Sequence, residues 1–259
     1  MCLTDEEKSH KKDWKDGAAA GCTSVDEEGT TKRGGYAYHE AMRKTGHNQQ
    51  EPPSGACPLC GHAGSAFQDG EYLSCPECGG LFRPRAAFLP AAEEKARYEE
   101  HENDVLDDPY QAFVSPIVDA VFRYGRPTDR GLDFGSGTAP VIAHLLREHG
   151  FDIACYDPFF SNTPGLLEHT YDYIVCCEVI EHFHDPAAEF ERLHDMLLPG
   201  GRLYCMTMLY HEGVDFPNWH YRRDPTHVFI YREETILWLA QRYGFSSATI
   251  DGRLIVLQR

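Results

Sequence analysis

Three groups of residues in this chain have types and spacings that could do chemistry. The first is Gly131-Leu132-Asp133-Phe134-Gly135-Ser136-Gly137-Thr138, an apolar strand running straight into a glycine turn. Gly135 and Gly137 lack a Cβ, so the turn can take backbone angles closed to other residues, and a ligand can lie against the main chain. The pattern predicts a helix over about 138–149 whose free N–H groups face that ligand. Two acids follow where parallel strands should end: Asp157 after residues 152–156, and Glu178 after the buried strand 171–177. Asp157 stands about twenty residues past the glycines, where a carboxylate can accept both hydroxyl protons of a ribose.

The second group is Cys57-Pro58-Leu59-Cys60-Gly61 and Cys75-Pro76-Glu77-Cys78-Gly79. Two thiolates separated by two residues can grip one ion, and the glycine after each pair permits the turn around it. Four thiolates in two such knuckles predict a tetrahedral structural zinc site of ribbon type, with iron as the rival metal. The third group is Trp219-His220-Tyr221-Arg222-Arg223-Asp224-Pro225-Thr226-His227, with His211 upstream, in a loop after the predicted fifth strand. Such loops carry the substrate in open α/β sheets, and histidine titrates close to neutrality. His220 or His227 is the candidate base, with Tyr221 and Asp224 orienting it or the acceptor. The plainer reading is that Thr226 and His227 cap the turn into residues 228–231.

The elements that must position these groups follow from periodicity. Strand, glycine turn, helix and strand ending in acid repeat as a doubly wound, mostly parallel α/β sheet. Residues 186–198 read as an amphipathic helix stopped by Pro199-Gly200-Gly201, residues 202–209 as a strand and residues 232–243 as a helix capped by Gly244. Residues 246–250 and 254–258 flank Asp251-Gly252-Arg253 as a closing antiparallel hairpin. Only fourteen residues, 158–171, separate Asp157 from Asp172. That is too few for a helix, a strand and a second helix, so the third strand region should be shortened or missing. Upstream, residues 91–108 carry eight acids in a helical stretch, and Tyr110, Phe113, Ile117, Val118, Val121 and Phe122 form an apolar stripe after Pro109.

In order, Leu132-Asp133-Phe134-Gly135-Ser136-Gly137, Tyr156-Asp157-Pro158, residues 171–182 and Leu198-Pro199-Gly200-Gly201 resemble a class I S-adenosylmethionine-dependent methyltransferase over the C-terminal half of the chain. The whole pattern, with its four-cysteine module, is similar to bacterial methyltransferases of unassigned substrate. The resemblance implies a seven-stranded-type sheet and a cofactor site of Asp133, Phe134, Gly135, Ser136, Gly137, Asp157, Pro158, Cys177, Glu178 and His182. Gly135, Ser136 and Gly137 would line the methionine portion, Asp157 the ribose, and Cys177 with Glu178 the adenosine. It also makes Tyr98, His101 and Tyr110 candidate lid residues. Residues 178–186 offer acid and imidazole together and could pass for a metal or acid–base site; the resemblance instead gives His182 to the cofactor border and leaves His184 unassigned.

The bounds agree. The chain of 259 residues accommodates one α/β domain and a small module, with a tail at 1–52, a zinc-ribbon-like module at 53–88, a helical lid at 89–126 and the catalytic domain at 127–259. The tail is too poor in aliphatic residues to offset chain ordering and should be disordered. A net charge of −17 repels phosphate backbones, which excludes nucleic acid as the expected partner and favours a small-molecule acceptor over a macromolecule. No apolar run spans a bilayer and the first residues lack the apolar core of a signal peptide, so the expected location is the cytoplasm. That compartment also suits ten cysteines, of which four are paired at metal spacing and four lie in predicted buried strands. Pro140 occupies the place of the third glycine of a dinucleotide fingerprint, which disfavours an NAD-dependent reductase. The remaining alternative is a non-catalytic binding module on the same scaffold.

Overall fold

The computed structural model describes residues 55–100 and 104–259; the expected disordered tail and His101 lie outside these residues. A mixed six-stranded sheet forms the centre, in the order β5-β4-β6-β7-β10-β9. Its strands are β4 (Arg130–Phe134), β5 (Asp152–Tyr156), β6 (Tyr171–Cys177), β7 (Leu197–Met206), β9 (Ser247–Asp251) and β10 (Leu254–Gln258). β4 pairs parallel with both β5 and β6, β6 pairs parallel with β7, and β10 runs antiparallel between β7 and β9. The chain leaves β4 for β5 on one side and returns to β6 on the other, so the strand order reverses at β4, above the glycine turn. Between β5 and β6 only a short 3-10 turn, Pro164–Glu168, bridges the gap where the shortened region was expected.

Strand alternation explains why both faces are covered. Along β6, Tyr173 and Val175 point to one face and Ile174 and Cys176 to the other. The first face buries Val114, Ile117 and Val121 of α2 (Asp108–Tyr124) with Val141, Ile142 and Leu146 of α3 (Val141–Glu148). The second buries Phe190 and Leu193 of α4 (Pro186–Asp195) with Ile236 and Leu239 of α6 (Glu233–Tyr243). α6 ends at Gly244 with φ +79°, a left-handed cap that suits glycine. Pro116 inside α2 cannot donate to the Ala112 carbonyl, which instead accepts from Ser115 Oγ at 2.9 Å.

Three element boundaries differ from the sequence expectation. The helix after the glycine turn begins at Val141 rather than Thr138, because Pro140 has a non-helical ψ of 71° and supplies no N–H to the first turn. The acidic stretch forms α1 over Ala91–Glu99 only, and a turn at Asp104–Asp107 precedes α2. Leu197 and Leu198 join β7 instead of ending α4, and the expected stop Pro199-Gly200-Gly201 lies within that strand, across an irregularity opposite Tyr171–Tyr173.

A second, four-stranded sheet runs β1 (Ser65–Phe67), β2 (Tyr72–Ser74), β3 (Leu81–Phe82) and β8 (Phe229–Ile230), all antiparallel. Its fourth strand is a late segment of the chain, so the cysteine-bearing hairpin is stitched into the same body as the large sheet. Cys57, Cys75, Cys78 and Phe82 are buried in the core that also holds Leu132, Phe190 and Ile255.

Candidate active site

A cavity of about 470 Å³ opens at the carboxyl ends of β4, β5 and β6, within the usual range for small-ligand sites. Its floor is the glycine turn. Gly135 and Gly137 have φ of +80° and +64°, and a Cβ on Gly135 would fall 2.5 Å from Val179 Cγ2. A Cβ on Gly137 would meet nothing within 4 Å, so the space above it is free for a ligand to press on the main chain. Gly135 and Ser136 N–H both donate to the Tyr156 carbonyl, at 2.8 and 3.1 Å, which clamps the turn to β5.

Asp157 sits beside this turn and is 7% exposed. Its Oδ2 accepts from Gly137 N–H at 3.0 Å, and its Oδ1 accepts from Phe159 and Phe160 N–H at 2.8 and 3.0 Å. Burial raises its carboxyl above the ordinary value, and the three N–H bonds oppose that rise. The carboxylate is thus fixed before any ligand arrives. Phe134, Ser136, Pro158, Cys177, Glu178 and His182 line the same cavity. Asp133 does not line it: the residue lies buried within β4, behind the turn.

Glu178 adopts φ +52°, a left-handed conformation uncommon away from glycine, directly after β6. Its N–H donates to the Met206 carbonyl at 2.8 Å, and Arg253 Nη2 lies 2.7 Å from its carboxylate. Arg253 also lies 4.5 Å over the Phe113 ring, so the C-terminal hairpin closes one wall of the cavity. Burial raises the Glu178 carboxyl and Arg253 counters it.

The cover comes from α1 and α2, which supply Glu94, Tyr98, Tyr110 and Phe113. Tyr98 OH donates to Glu94 Oε1 at 2.8 Å, and its ring meets His182 edge-on at 5.2 Å. Burial pushes the Glu94 carboxyl up to about 7. His184 Nε2 lies 3.7 Å from the same oxygen, which places the unassigned histidine under the cover. Arg97 of α1 reaches across to Asp224 Oδ2 through Nη2 at 3.1 Å and Nε at 3.3 Å.

The same cavity is lined by His220, Tyr221, Asp224 and His227 with Met208. His220 is exposed at the rim, on the single helical turn α5 (His220–Arg223). Tyr221 is buried; its hydroxyl donates to Glu181 Oε1 and lies 2.6 Å from Thr207 Oγ1. Asp224 Oδ1 accepts from Thr226 N–H and Oγ1 at 2.9 and 2.5 Å, the turn geometry anticipated for Thr226. Burial would raise Asp224, but the Thr226 bonds, His227 and Arg97 together bring it to about 2. The His227 ring lies 4.1 Å from that of Tyr221 and 4.7 Å from that of His182. Burial pushes His182 down to about 3 and His227 to about 4, so both imidazoles are neutral near pH 7. His211 is exposed, and the cavity lining does not include it.

Away from the cavity, Cys57 Sγ lies 3.6 Å from Cys78 Sγ and Cys60 Sγ lies 3.3 Å from Cys75 Sγ, all four within 4.8 Å of one another. Sequence reasoning missed Glu94 and Arg253 at the cavity, and Glu181, which does not line it but hydrogen-bonds Tyr221 behind it. Glu94 is hidden among eight acids and Arg253 within a hairpin turn signal; neither carries a local mark of its contact. Glu181 stands in the quoted Glu-His stretch, and its burial is the property that no spacing reveals.

A methyltransferase-domain family profile matches residues 100–249, more than half of the chain. Over 80 residues the chain is 31% identical to a ubiquinone biosynthesis O-methyltransferase of Ruegeria pomeroyi, covering 30% of this chain and 31% of that one. The chain thus spans about a third of the length of that curated relative. Among solved structures, it is similar to an S-adenosylmethionine-dependent methyltransferase from Archaeoglobus fulgidus (TM-score 0.47, 15% identity, 57% of this chain and 94% of that chain). It is also similar to an O-methyltransferase family protein from Burkholderia thailandensis (TM-score 0.46, 15% identity, 64% and 61%). Together with the glycine turn and the fixed Asp157, the profile match leads to one conclusion: the chain belongs to the methyltransferase-domain family, with residues 100–249 as its methyltransferase domain.

Proposed function

We propose that the whole protein transfers a methyl group from S-adenosylmethionine to a small-molecule acceptor. The observation that carries this reading is one cavity lined by two chemically distinct groups: Gly135–Gly137 and Asp157, and His220, Tyr221, Asp224 and His227. The donor supplies an electrophilic methyl group on a sulfonium, so the protein's task is chiefly to position and to handle an acceptor proton. The open main chain at Gly137 fits the methionine portion, and the buried Asp157 carboxylate retains lone pairs for ribose hydroxyls. Cys177 and Glu178 border the adenosine, with Phe159 and Phe160 supplying apolar surface where the third strand region is short. Of the second group, His220 is the base open to solvent and His227 the buried one; Tyr221 and Asp224 hold the loop that presents them. Glu94, Tyr98, Tyr110 and Phe113 exclude water from above.

The four cysteines are proposed to bind one structural zinc ion. Sulfurs about 3.3 to 3.6 Å apart, in two knuckles, match a closed tetrahedral site with no position left for substrate. The eight described cysteines are all free thiols, and the chain carries a net charge of −17, which supports action in the cytoplasm on an acceptor other than nucleic acid.

Incubation of the zinc-loaded protein with S-adenosylmethionine and panels of small phenols, alcohols and amines, with S-adenosylhomocysteine measured by mass spectrometry, tests the reading. Turnover that depends on one small-molecule class is expected. Turnover with protein or RNA alone would refute the small-molecule assignment.

A further inference from the structure

At the acceptor loop, three side chains from two segments converge: Glu181 and His182 from the 3-10 turn Ile180–His182, and His227 just before β8. One ligand atom of each lies within 4.8 Å of the other two. His182 Nδ1 lies 3.0 Å from the Thr226 carbonyl, and His227 Nδ1 lies 2.7 Å from the Tyr221 carbonyl. A carbonyl oxygen can only accept, so both Nδ1 atoms carry the proton and both Nε2 atoms present a lone pair. This is the arrangement by which a backbone carbonyl orients a metal-binding histidine through its other ring nitrogen.

Glu181 is fully buried, with 0% exposure. Its Oε1 accepts from Tyr221 OH, while its buried Oε2 has no hydrogen-bond partner. A cation between this oxygen and the two oriented imidazoles would satisfy it.

We propose that Glu181, His182 and His227 bind a divalent transition-metal ion of the zinc class. Two imidazole nitrogens and one carboxylate oxygen suit zinc and its first-row neighbours better than magnesium or calcium. Three protein ligands leave coordination positions open, unlike the closed four-cysteine site. His182 and His227 line the cavity and Glu181 lies behind them, so an ion held by the three would border the cavity.

The role of the ion rests on the methyltransferase reading above; its binding does not. A cation here lowers the pKa of an acceptor hydroxyl. With the ion bound the His227 Nε2 lone pair is occupied, so the hydroxyl proton leaves to His220 or water rather than to His227. The acceptor oxygen forms the new bond to the methyl carbon, and the pair from the broken carbon–sulfur bond stays on sulfur. The acceptor class is thereby narrowed to a small molecule bearing an acidic hydroxyl, such as a phenol or an enol.

The test counts metal in the full chain. Protein saturated with zinc and exhaustively dialysed is analysed for metal equivalents, and the cobalt-substituted form is read by absorption, since thiolate-to-cobalt charge transfer reports the four-cysteine site alone. Two equivalents are expected in the unaltered protein. Glu181→Gln, His227→Ala and His182→Gln should each hold one, with the charge-transfer band retained and a cooperative thermal melt. The His182→Gln change keeps a donor for the Thr226 carbonyl and guards against simple misfolding. One equivalent in the unaltered protein, or two in all three variants, overturns the proposal. Calorimetric titration of the metal-stripped protein with S-adenosylmethionine reports separately on the cofactor reading.

Discussion

At the scale of the residue, the site depends on positions where one atom decides the outcome. Gly137 has φ +64° and open space where a Cβ would stand. Replacing it by alanine should cost about 1 kcal/mol in stability from backbone strain. It should weaken S-adenosylmethionine binding by tenfold or more, because the new methyl occupies the ligand's place. Denaturant unfolding and calorimetry separate these two effects. Glu94 makes a different prediction. Its folded carboxyl is raised from 4.5 to about 7 chiefly by burial, so the folded state holds a proton that the unfolded state has lost in that window. Stability therefore falls as pH rises from about 5 to 7, by up to roughly 3 kcal/mol for this group. Glu94→Gln keeps an acceptor for Tyr98 and carries no charge, so its stability should be flatter across the same window. Denaturation midpoints of both proteins at pH 5 and pH 8 check this, and parallel pH profiles would contradict it.

At the scale of the element, the cover is tied to the acceptor loop by the paired contacts of Arg97 with Asp224. Arg97 is 39% exposed on its side chain, so the pair should contribute less than about 1 kcal/mol to folding. Arg97→Ala should therefore leave the thermal midpoint nearly unchanged, yet raise KM for acceptor several-fold by loosening α1 over the cavity. A fall in kcat with unchanged KM would show that the contact acts otherwise. Element legibility followed the strength of local signals. The strands β4 to β7, the Gly244 cap and the C-terminal hairpin all carried periodicity or turn chemistry in the sequence. Val141, not Thr138, starts α3 because Pro140 outweighs the helical pattern around it. β8 pairing with β3 was beyond reach, because residues 81–82 and 229–230 bear no complementary mark across so long a separation.

At the scale of the whole molecule, the cysteine-bearing sheet and the large sheet share a core, and the small sheet takes its fourth strand, β8, from a late segment of the chain. Cys57, Cys75 and Cys78 are buried alongside Leu132 and Phe190, and Phe229–Ile230 begins two residues after His227. Stripping the proposed zinc, or making Cys60→Ser, should therefore lower the thermal midpoint of the entire body in one transition and also reduce cofactor affinity. A separate early melt with an intact cofactor site would show that the small sheet is independent. The same interlocking explains what the sequence could and could not reveal about the site. Gly135, Gly137, Asp157 and the histidine loop announced themselves by residue type and order. The contacts of Arg253 with Glu178, of Glu94 with Tyr98, and of Glu181 with Tyr221 arise only when separate elements fold together.

The measurement that tests the account most directly is calorimetric titration of the zinc-loaded protein with S-adenosylmethionine and S-adenosylhomocysteine, alongside Asp157→Ala. Micromolar binding of both ligands, weakened at least a hundredfold in the variant while its fold is retained, is the predicted result. Absence of binding by the unaltered protein, or equal binding by Asp157→Ala, would contradict it.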